Sequence, residues 1–519
     1  MKEKIRIDRT EARETPPPPS FTWALRPEFI TTWPKLTKLK FLIHPSLVSF
    51  VIIPNIIFII LERFVYMIRP VFNVDYLLLG ALAPYFPIRI FFCFYFLVLL
   101  NDLLVNIAPI FNFQIGEIFH YIHNVIYLDW KLTSAVALSL ILFCALITAV
   151  AIALTRIQQP RYKLSQAVAF IFLTSAVSLA DIANGTSFVS VPISRSLINL
   201  NLAYSGVRRT LLAIQSIKNS KNFVAQSIAS DESATGYLFE EIKNHPDLFP
   251  RRSVVLIEVE SLGLLKNSEL QSKIFAPLSE KRIGEKYEIL SGSIPFSGHT
   301  IDGEFRELCA VRLLEYGEDS FPRCLPQYLK ERGFETVALH GFTKEFYNRH
   351  RWYPLMGFDR IIFAQEMKQI GYKKRCGSGF KGICDTEVVR LIEAELIRSR
   401  SKNPKFLHWM TLNSHIPLDS ESAAESTFNC NSNSITQSEI SVCLISKMIQ
   451  LVCERIANLA MNPEIPPTDF ILVGDHAPPF FEKTTRELYS ESRVPYLILR
   501  SKVKKLNGKG SVRSSRATS

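Results

Sequence analysis

Long apolar runs with almost no charge fill residues 41–180 and constrain this chain more than any other feature. A helix of about 20 apolar residues crosses the hydrocarbon layer of a bilayer, so each run predicts a membrane span. Residues 41–184 are therefore predicted to form a transmembrane helical bundle of about five helices. The candidate spans are residues 41–61, 71–87, 90–111, 132–154 and 164–180.

Two of these segments depart from a plain apolar span. Asp102 lies within residues 90–111 and either faces the interior of the bundle or marks a helix end at the membrane surface. Residues 71–87 are short and contain Pro84 and Pro87, which also fits a re-entrant segment. The number of spans therefore stays open between four and five.

The loop charges predict the orientation of the bundle. Residues 156–163, between the last two spans, contain three basic and no acidic side chains, so this loop should be cytoplasmic. The chain after about residue 185 then lies outside the membrane. A cytoplasmic N-terminus requires five spans and leaves Arg63 and Arg69 outside, whereas four spans with an external N-terminus would place them inside.

The net charge of +12 is concentrated in the two tails. Residues 1–40 carry nine basic and five acidic side chains, and residues 501–519 carry six basic and none acidic. A nucleic-acid enzyme would concentrate positive charge on a folded face, so we exclude a nucleic-acid partner. Basic tails next to membrane spans instead fit the anionic leaflet of a membrane.

Seven of the nine cysteines lie in the second half of the chain, and six of these are spaced as near neighbours. An even set in an oxidising compartment predicts three local disulfides, whose pairing the sequence leaves open. The alternative is six buried thiols in a cytosolic domain. The six are Cys309, Cys324, Cys376, Cys384, Cys430 and Cys443.

Strands and helices alternate over residues 251–500, after a polar helical connector at 185–250. Periodic apolar positions predict helices at 385–398 and 439–461, between buried strands. Such alternation predicts an α/β domain whose central, mostly parallel sheet is covered on both faces. The predicted strands are residues 253–260, 335–340, 405–411, 468–474 and 494–499.

Polar residues follow the ends of these strands, where the chemistry of an α/β sheet gathers. The first strand ends in Glu258-Val-Glu260, which places two carboxylates on one face, and the fourth runs into Asp475-His476. His415 and His340 follow two others, and Thr300 lies in a loop between the first two strands. Each residue alone has a structural explanation, such as a turn or a satisfied polar side chain. Together they predict a site for Zn²⁺ or Mn²⁺ that activates a hydroxyl.

Several short motifs in this order resemble the lipoteichoic acid synthase and phosphoglycerol transferase family, a sulfatase-like branch of the alkaline phosphatase superfamily. They are Glu260-Ser, Gly-His-Thr300-Ile-Asp-Gly-Glu304-Phe, His340-Gly, Tyr347-Asn-Arg349, Ser-His415-Ile-Pro and Gly-Asp475-His476. The cysteine pairs are similar to those of the lipid A phosphoethanolamine transferases. The Cys or Ser followed by x-Pro-x-Arg that true sulfatases require is missing around Thr300, which counts against sulfate-ester hydrolysis.

The resemblance implies an extracytoplasmic, alkaline-phosphatase-like domain with a role for each motif. Glu260, Asp475 and His476 would bind the metal, and Thr300 would be both ligand and nucleophile. His415 would move a proton, and His340, Tyr347 and Arg349 would bind the substrate. Tyr347 stands where the glycerol-transferring relatives usually have Trp, so the head-group pocket would differ from theirs. These sets are the candidate site residues.

The resemblance further implies a multi-pass enzyme of the bacterial inner membrane. It would move a phospholipid head group, glycerol phosphate or ethanolamine phosphate, onto an envelope glycan or lipid through a phosphothreonine. Two alternatives remain at this point: a metal-dependent phosphodiesterase of the same fold, and a non-catalytic envelope-assembly protein. The sequence leaves the acceptor and the choice of head group open, with a slight preference for glycerol phosphate.

Overall fold

The computed structural model describes residues 45–65, 85–107, 122–157, 224–244, 252–315, 321–399, 403–430 and 440–502, with isolated positions such as Tyr76 and Ile110. The predicted tail 1–40 lies outside these ranges. So do most of the predicted spans 71–87 and 164–180, most of the connector 185–250 and nearly all of the tail 501–519.

Three of the five predicted spans are helical. They are α1 (Pro45–Glu62), α2 (Ile88–Ile107) and α3 (Trp130–Ile157). Asp102 in α2 is buried and accepts a hydrogen bond from the Tyr76 hydroxyl at 2.8 Å, as a side chain facing a helical bundle would. Among the described residues, none of the helices combines the length and apolarity required to cross a membrane. The transmembrane bundle therefore stays a prediction.

A seven-stranded mixed sheet forms the centre of the second half. Its strands are β2 (Ser253–Val259), β3 (Tyr287–Pro295), β5 (Glu335–His340), β6 (Arg360–Ile362), β9 (Lys405–Met410), β10 (Thr468–Gly474) and β11 (Arg493–Ser501). Their order across the sheet is β3-β11-β10-β2-β9-β5-β6. Strands β10, β2, β9, β5 and β6 run parallel, and β11 and β3 add an antiparallel edge. All five predicted strands are present, which confirms the α/β class.

Four short strands lie outside this sheet. β1 (Val224–Ser227) pairs with β4 (Val311–Glu315), and β7 (Arg375–Cys376) pairs with β8 (Gly382–Ile383). The prediction that residues 185–250 are helical holds only for α4 (Gly236–Asn244) within the described part, because β1 is a strand.

The sheet separates two hydrophobic clusters because the side chains of each strand alternate between its faces. In β2, Val255 and Ile257 belong to one cluster and Val254 and Leu256 to the other. The first cluster is covered by α5 (Ser268–Ile274), α6 (Lys281–Lys286), α10 (Ala364–Gln369), α11 (Asp385–Ser399) and α12 (Ile440–Met461). The second is covered by α7 (Thr300–Cys309), α8 (Leu325–Lys330) and α9 (Arg349–Leu355). The helix α13 (Lys483–Arg486) lies between β10 and β11.

Three disulfides join neighbouring cysteines, as predicted. The pairs, which the sequence left open, are Cys309–Cys324, Cys376–Cys384 and Cys430–Cys443. Cys453 is a buried free thiol in α12.

The N-terminal part contacts the domain near the ends of its strands. Within the short 3₁₀ helix Ile122–Tyr127, the Asn124 side chain accepts a hydrogen bond from the Tyr347 N–H at 3.2 Å. The Asp129 N–H donates to the Gly379 carbonyl at 3.1 Å, and Arg486 donates to the Ile110 carbonyl at 2.7 Å. These contacts place the N-terminal part beside the candidate site.

Candidate metal centre and nucleophile

The carboxyl ends of β2 and β10 bring the three predicted protein ligands together. Glu260 follows β2, and Asp475 and His476 follow β10. Each offers one ligand atom, and the three atoms lie within 4.8 Å of one another. All three side chains are buried. Two carboxylates and an imidazole at this separation form a donor set suited to Zn²⁺ or Mn²⁺.

Thr300 completes this cluster. Its hydroxyl oxygen lies 3.4 Å from Glu260 Oε2 and 3.4 Å from His476 Nε2. His476 Nε2 is in turn 3.5 Å from Glu260 Oε1 and 3.3 Å from Asp475 Oδ2. The four residues that the sequence assigned to metal binding therefore converge on one point.

Backbone hydrogen bonds orient the ligands toward that point. Asp475 Oδ1 accepts from the N–H groups of Ser261 and His476, at 2.8 and 2.7 Å, whereas Oδ2 has no hydrogen-bond partner among the described residues. The Nδ1–H of His476 donates to the Ala477 carbonyl at 2.9 Å, which leaves the Nε2 lone pair facing Glu260. Such support fixes the tautomer and the ring orientation of a metal-binding histidine.

The electrostatics of the cluster also fit a cation. Burial and the neighbouring Glu260 carboxylate raise the pKa of Asp475 to about 7. Two buried carboxylates that repel each other are stabilised by a positive charge placed between them. The residues present therefore fit a divalent ion.

Close backbone packing explains the glycine before Asp475. A Cβ on Gly474 would lie 1.9 Å from the Leu262 carbonyl oxygen, so only glycine lets β10 approach the end of β2 this closely. Ser261 adopts a φ of 58° in the turn after β2, and its N–H donates to Asp475 Oδ1. The Arg306 guanidinium then binds the carbonyls of Gly474 and Asp475, at 2.7 and 3.2 Å.

Thr300 is the first residue of helix α7, not part of a loop as predicted. The Asp302 carboxylate accepts a hydrogen bond from the N–H of His299, the residue that precedes the helix, at 2.9 Å and thereby caps it. An acidic residue three positions after the cap is a signal for the start of a helix. The serines and glycines that precede it instead favoured a loop in the sequence. A helix N-terminus stabilises negative charge, so an anion held at Thr300 would be favoured there.

Arg349 is held by a residue to which the sequence assigned no role. Its Nε donates to Glu304 Oε1 at 2.9 Å, its Nη2 donates to the same oxygen, and the Tyr353 hydroxyl donates to Glu304 Oε2. Glu304 lies one helical turn after Thr300, and all these side chains are buried. Arg349 Nη1 has no hydrogen-bond partner among the described residues and remains available to a ligand.

The predicted substrate-binding residues lie around the same cluster. His340, at the end of β5, donates through Nδ1 to the Met410 carbonyl at 3.0 Å, and its Nε2 has no partner among the described residues. Burial lowers the pKa of His340 well below its usual value, so the ring is neutral and Nε2 accepts hydrogen bonds. The Tyr347 ring lies 5.2 Å from the Arg349 guanidinium, and the left-handed backbone at Tyr347 and Asn348 turns the chain toward the site.

His415 lies 4.0 Å from Glu260, measured from Nε2 to Oε1. Its Nδ1–H donates to the Ile416 carbonyl at 2.7 Å, and burial lowers its pKa to about 4. The neutral ring can therefore accept a proton. The Phe380 ring packs against it, with 3.8 Å between ring centroids.

Glu258 does not join this centre, although the sequence pattern placed it on one face with Glu260. It is fully buried within β2 and bonds to His408 Nε2 at 3.0 Å. Burial, with the nearby Glu304 carboxylate, raises its pKa well above the usual value. Glu258 lies within β2, whereas Glu260 is the first residue after the strand and therefore reaches the cluster at the strand ends.

Comparisons with known proteins agree with the predicted family. A family model described as Sulfatase matches residues 305–517, which include Arg349, His415, Asp475 and His476. No curated protein sequence matches the chain. The predicted sulfatase-like resemblance is therefore confirmed over these residues.

Several solved structures show partial similarity to this chain. The lipoteichoic acid synthase LtaP from Listeria monocytogenes is 13% identical, with a TM-score of 0.39, over 49% of this chain and 67% of its own. The Streptococcus pyogenes phosphoglycerol transferase GacH is 16% identical, with a TM-score of 0.37, over 51% of this chain and 73% of its own. The C-terminal periplasmic domain of EcEptC from Escherichia coli, in complex with Zn, is 12% identical, with a TM-score of 0.32, over 49% of this chain and 74% of its own.

Proposed function

We propose that this chain is a divalent-metal-dependent phosphotransferase. It would move a phospholipid head group, by way of Thr300, onto a hydroxyl of an envelope glycan or lipid. The observation that carries the proposal is the Thr300 hydroxyl at a helix N-terminus, 3.4 Å from both Glu260 and His476. The sulfatase match of residues 305–517 supports this class of chemistry. Thr300 lacks the surrounding residues of a formylglycine site, which favours phosphoryl over sulfuryl transfer.

Glu260, Asp475, His476 and Thr300 would hold Zn²⁺ or Mn²⁺. When bound, such an ion lowers the pKa of a coordinated hydroxyl and neutralises charge on phosphoryl oxygens. The protein itself supplies the positions of the reacting groups. Ser261 and the His476 amide keep Asp475 in place, and the start of α7 presents Thr300 with its N–H groups toward the incoming phosphate.

In the first step, Thr300 Oγ1 attacks the phosphorus of the lipid phosphodiester and diacylglycerol leaves with a proton. Arg349, with Nη1 unused, would bind a phosphoryl oxygen that gains charge in the transition state. In the second step, an acceptor hydroxyl attacks the phosphothreonine and restores Thr300. The neutral His415 ring would take the acceptor proton.

The head group would lie between His340 and Tyr347. The neutral His340 offers an acceptor nitrogen, which suits a hydroxyl or ammonium group better than a phosphoryl oxygen. Both glycerol phosphate and ethanolamine phosphate satisfy this requirement. We favour glycerol phosphate because of the Tyr347-Asn348-Arg349 motif.

The apolar segments of residues 41–180 would keep the domain at the lipid surface, with the donor phospholipid close to Thr300. An extracytoplasmic domain on a multi-pass protein of the bacterial inner membrane fits the three disulfides, because disulfides persist in oxidising compartments. The contacts of Asn124 and Asp129 with the site loops support an arrangement in which the domain rests on its N-terminal part.

Mass spectrometry of the full chain tests the proposal. The protein is incubated with Mn²⁺ and vesicles of phosphatidylglycerol or phosphatidylethanolamine. A phosphoglycerol or phosphoethanolamine adduct is expected on Thr300, and its mass identifies the donor. Thr300→Ala should form no adduct, whereas the matched Thr300→Ser retains a hydroxyl and should form one more slowly. Transfer by Thr300→Ala at the wild-type rate would exclude the covalent scheme, and release of the head group only to water would indicate a phosphodiesterase.

A further inference from the structure

Helix α7 carries, besides Thr300, a buried ion pair that contacts the metal-binding turn. Arg306 and Glu307 are neighbours in this helix, and Arg306 Nε donates to Glu307 Oε1 at 2.7 Å. Arg306 is 6% exposed and Glu307 is fully buried. A buried ion pair contributes little more to stability than apolar side chains of similar volume would. Stability alone therefore does not explain the pair, and its geometry is the more informative property.

The Arg306 guanidinium fixes the backbone on both sides of Asp475. Its Nη2 donates to the Gly474 carbonyl at 2.7 Å, and its Nη1 donates to the Asp475 carbonyl at 3.2 Å. Each carbonyl belongs to a planar peptide unit, and these two units flank the Asp475 Cα. The rigid fork of an arginine suits two neighbouring acceptors, whereas a lysine offers only a compact point charge. The guanidinium therefore sets the direction in which the Asp475 side chain leaves the backbone.

The ladders of the sheet end before this turn. The last pairings of β10 join Gly474 to Val259 in β2 and Val473 to Tyr496 in β11, so Asp475 and His476 lie beyond them. The second peptide unit that Arg306 holds also contains the His476 N–H, which donates to Asp475 Oδ1 at 2.7 Å. Arg306 therefore supports both metal ligands at a point where strand pairing no longer does.

Two residues of the connector, to which the sequence assigned no role, hold Glu307 in turn. Glu307 Oε2 accepts from the Ser233 hydroxyl at 2.9 Å and from the Thr235 N–H at 3.0 Å. The Thr235 hydroxyl donates to the Glu307 carbonyl at 2.6 Å, and both connector side chains are buried. Both carboxylate oxygens of Glu307 and all three guanidinium nitrogens of Arg306 are therefore bound. This chain of contacts joins the connector to the metal-binding turn.

We propose that Arg306 is a positioning residue for the metal ligands Asp475 and His476, and that Ser233 and Glu307 hold Arg306 in place. The inference rests on the proposed function, because it concerns the affinity for the ion on which that function depends. The charge of Arg306 acts in the opposite direction, since a positive charge beside the centre repels a cation. Loss of the geometry should weaken metal binding, whereas loss of the charge alone would strengthen it.

The metal affinity of full-chain variants tests this assignment. Isothermal titration with Mn²⁺ or with Zn²⁺ gives the Kd, and the Tm of the metal-free protein reports its stability. Arg306→Lys keeps the charge but loses the fork. Ser233→Ala removes a neutral hydroxyl that contacts no metal ligand. Its matched control is Ser399→Ala, the same change at a buried serine that ends α11 and donates to the Leu396 carbonyl at 2.8 Å.

Arg306→Lys should raise the Kd for Mn²⁺ by about tenfold or more, the usual effect of losing a group that orients metal ligands. Ser233→Ala acts one contact further away and should raise the Kd by about threefold. Ser399→Ala should lower the Tm of the metal-free protein by a similar amount to Ser233→Ala and leave the Kd unchanged.

An Arg306→Lys protein with a Kd within about twofold of the wild-type value would overturn the proposal. Equal Kd values in the two serine variants would overturn it as well, and they decide the matter if Arg306→Lys does not fold. A wild-type protein that binds neither Mn²⁺ nor Zn²⁺ would refute the proposed function instead, so the two failures can be distinguished.

Discussion

Removal of the Glu304 carboxylate should destabilise the domain through Arg349. In Glu304→Gln, the guanidinium keeps its charge but loses the carboxylate to which two of its nitrogens donate. Arg349 is 1% exposed, so water cannot replace that partner. Burial alone would lower the pKa of Arg349, yet the Glu304 carboxylate holds it above its usual value, so the residue stays charged. Breaking a buried ion pair from one side costs about 3–5 kcal/mol, and we expect Glu304→Gln to fall in that range.

A double-mutant cycle with Arg349→Met measures this pair. Urea unfolding of the four proteins should give a coupling energy of about 2–3 kcal/mol, because the double variant buries no uncompensated charge. The exposed pair of Arg390 and Glu387, 3.0 Å apart, serves as the matched control and should give about 0.5 kcal/mol or less. If the losses of unfolding free energy in the two single variants sum to the loss in the double variant within about 0.5 kcal/mol, Glu304 does not hold Arg349.

Three further predictions concern the metal, pH and disulfides. Zn²⁺ or Mn²⁺ at about 100 times its Kd should stabilise the wild type by about 2.7 kcal/mol and raise its Tm. EDTA should reverse the rise in Tm, and Asp475→Asn should not show it. Burial raises the pKa of Glu395, but hydrogen bonds from Arg360 and Lys405 outweigh it and lower the pKa to about 2. Its stabilisation, about 2–3 kcal/mol, is therefore present above pH ~4.5 and is lost as the pH falls toward 2. Glu395→Gln should remove that part of the pH dependence in urea titrations, and an unchanged profile would contradict it. Replacing both cysteines of Cys376–Cys384, separated by 8 residues, should cost about 2–3 kcal/mol in the same assay, and no change would argue against a structural role.

The sheet was predictable because its central strands are fully buried. Every residue of β2, β9 and β10 is buried, so each strand appears in the sequence as a short, mostly apolar run. The edge strand β3 was not predicted, because its exposed residues include Ser291 and Gly292, which are weak strand formers. The three-residue β6 is too short to show any period.

The metal centre was predictable for a related reason. Parallel strands place their carboxyl ends along one edge of the sheet, so residues after β2 and β10 meet however far apart they lie in the sequence. Glu304 belongs to one of the sequence motifs, but the sequence assigns it no role. Its partner Arg349 lies 45 residues away, in a helix outside the sheet. Nothing in local sequence indicates a contact of that kind.

The supports of the site divide it into a fixed and a variable part. Asp475 and His476 are held by backbone groups at strand ends, and Glu260 accepts a hydrogen bond from the Ser261 hydroxyl at 2.9 Å. Arg306 binds the backbone of the turn after β10. Changes in these residues would disturb both steps of the reaction. The loop closed by Cys376–Cys384 instead contacts the centre through Phe380, whose ring packs against His415. Under the proposed function, changes in this loop would affect the proton transfer at His415 and leave the positions of Thr300 and the metal ligands unchanged.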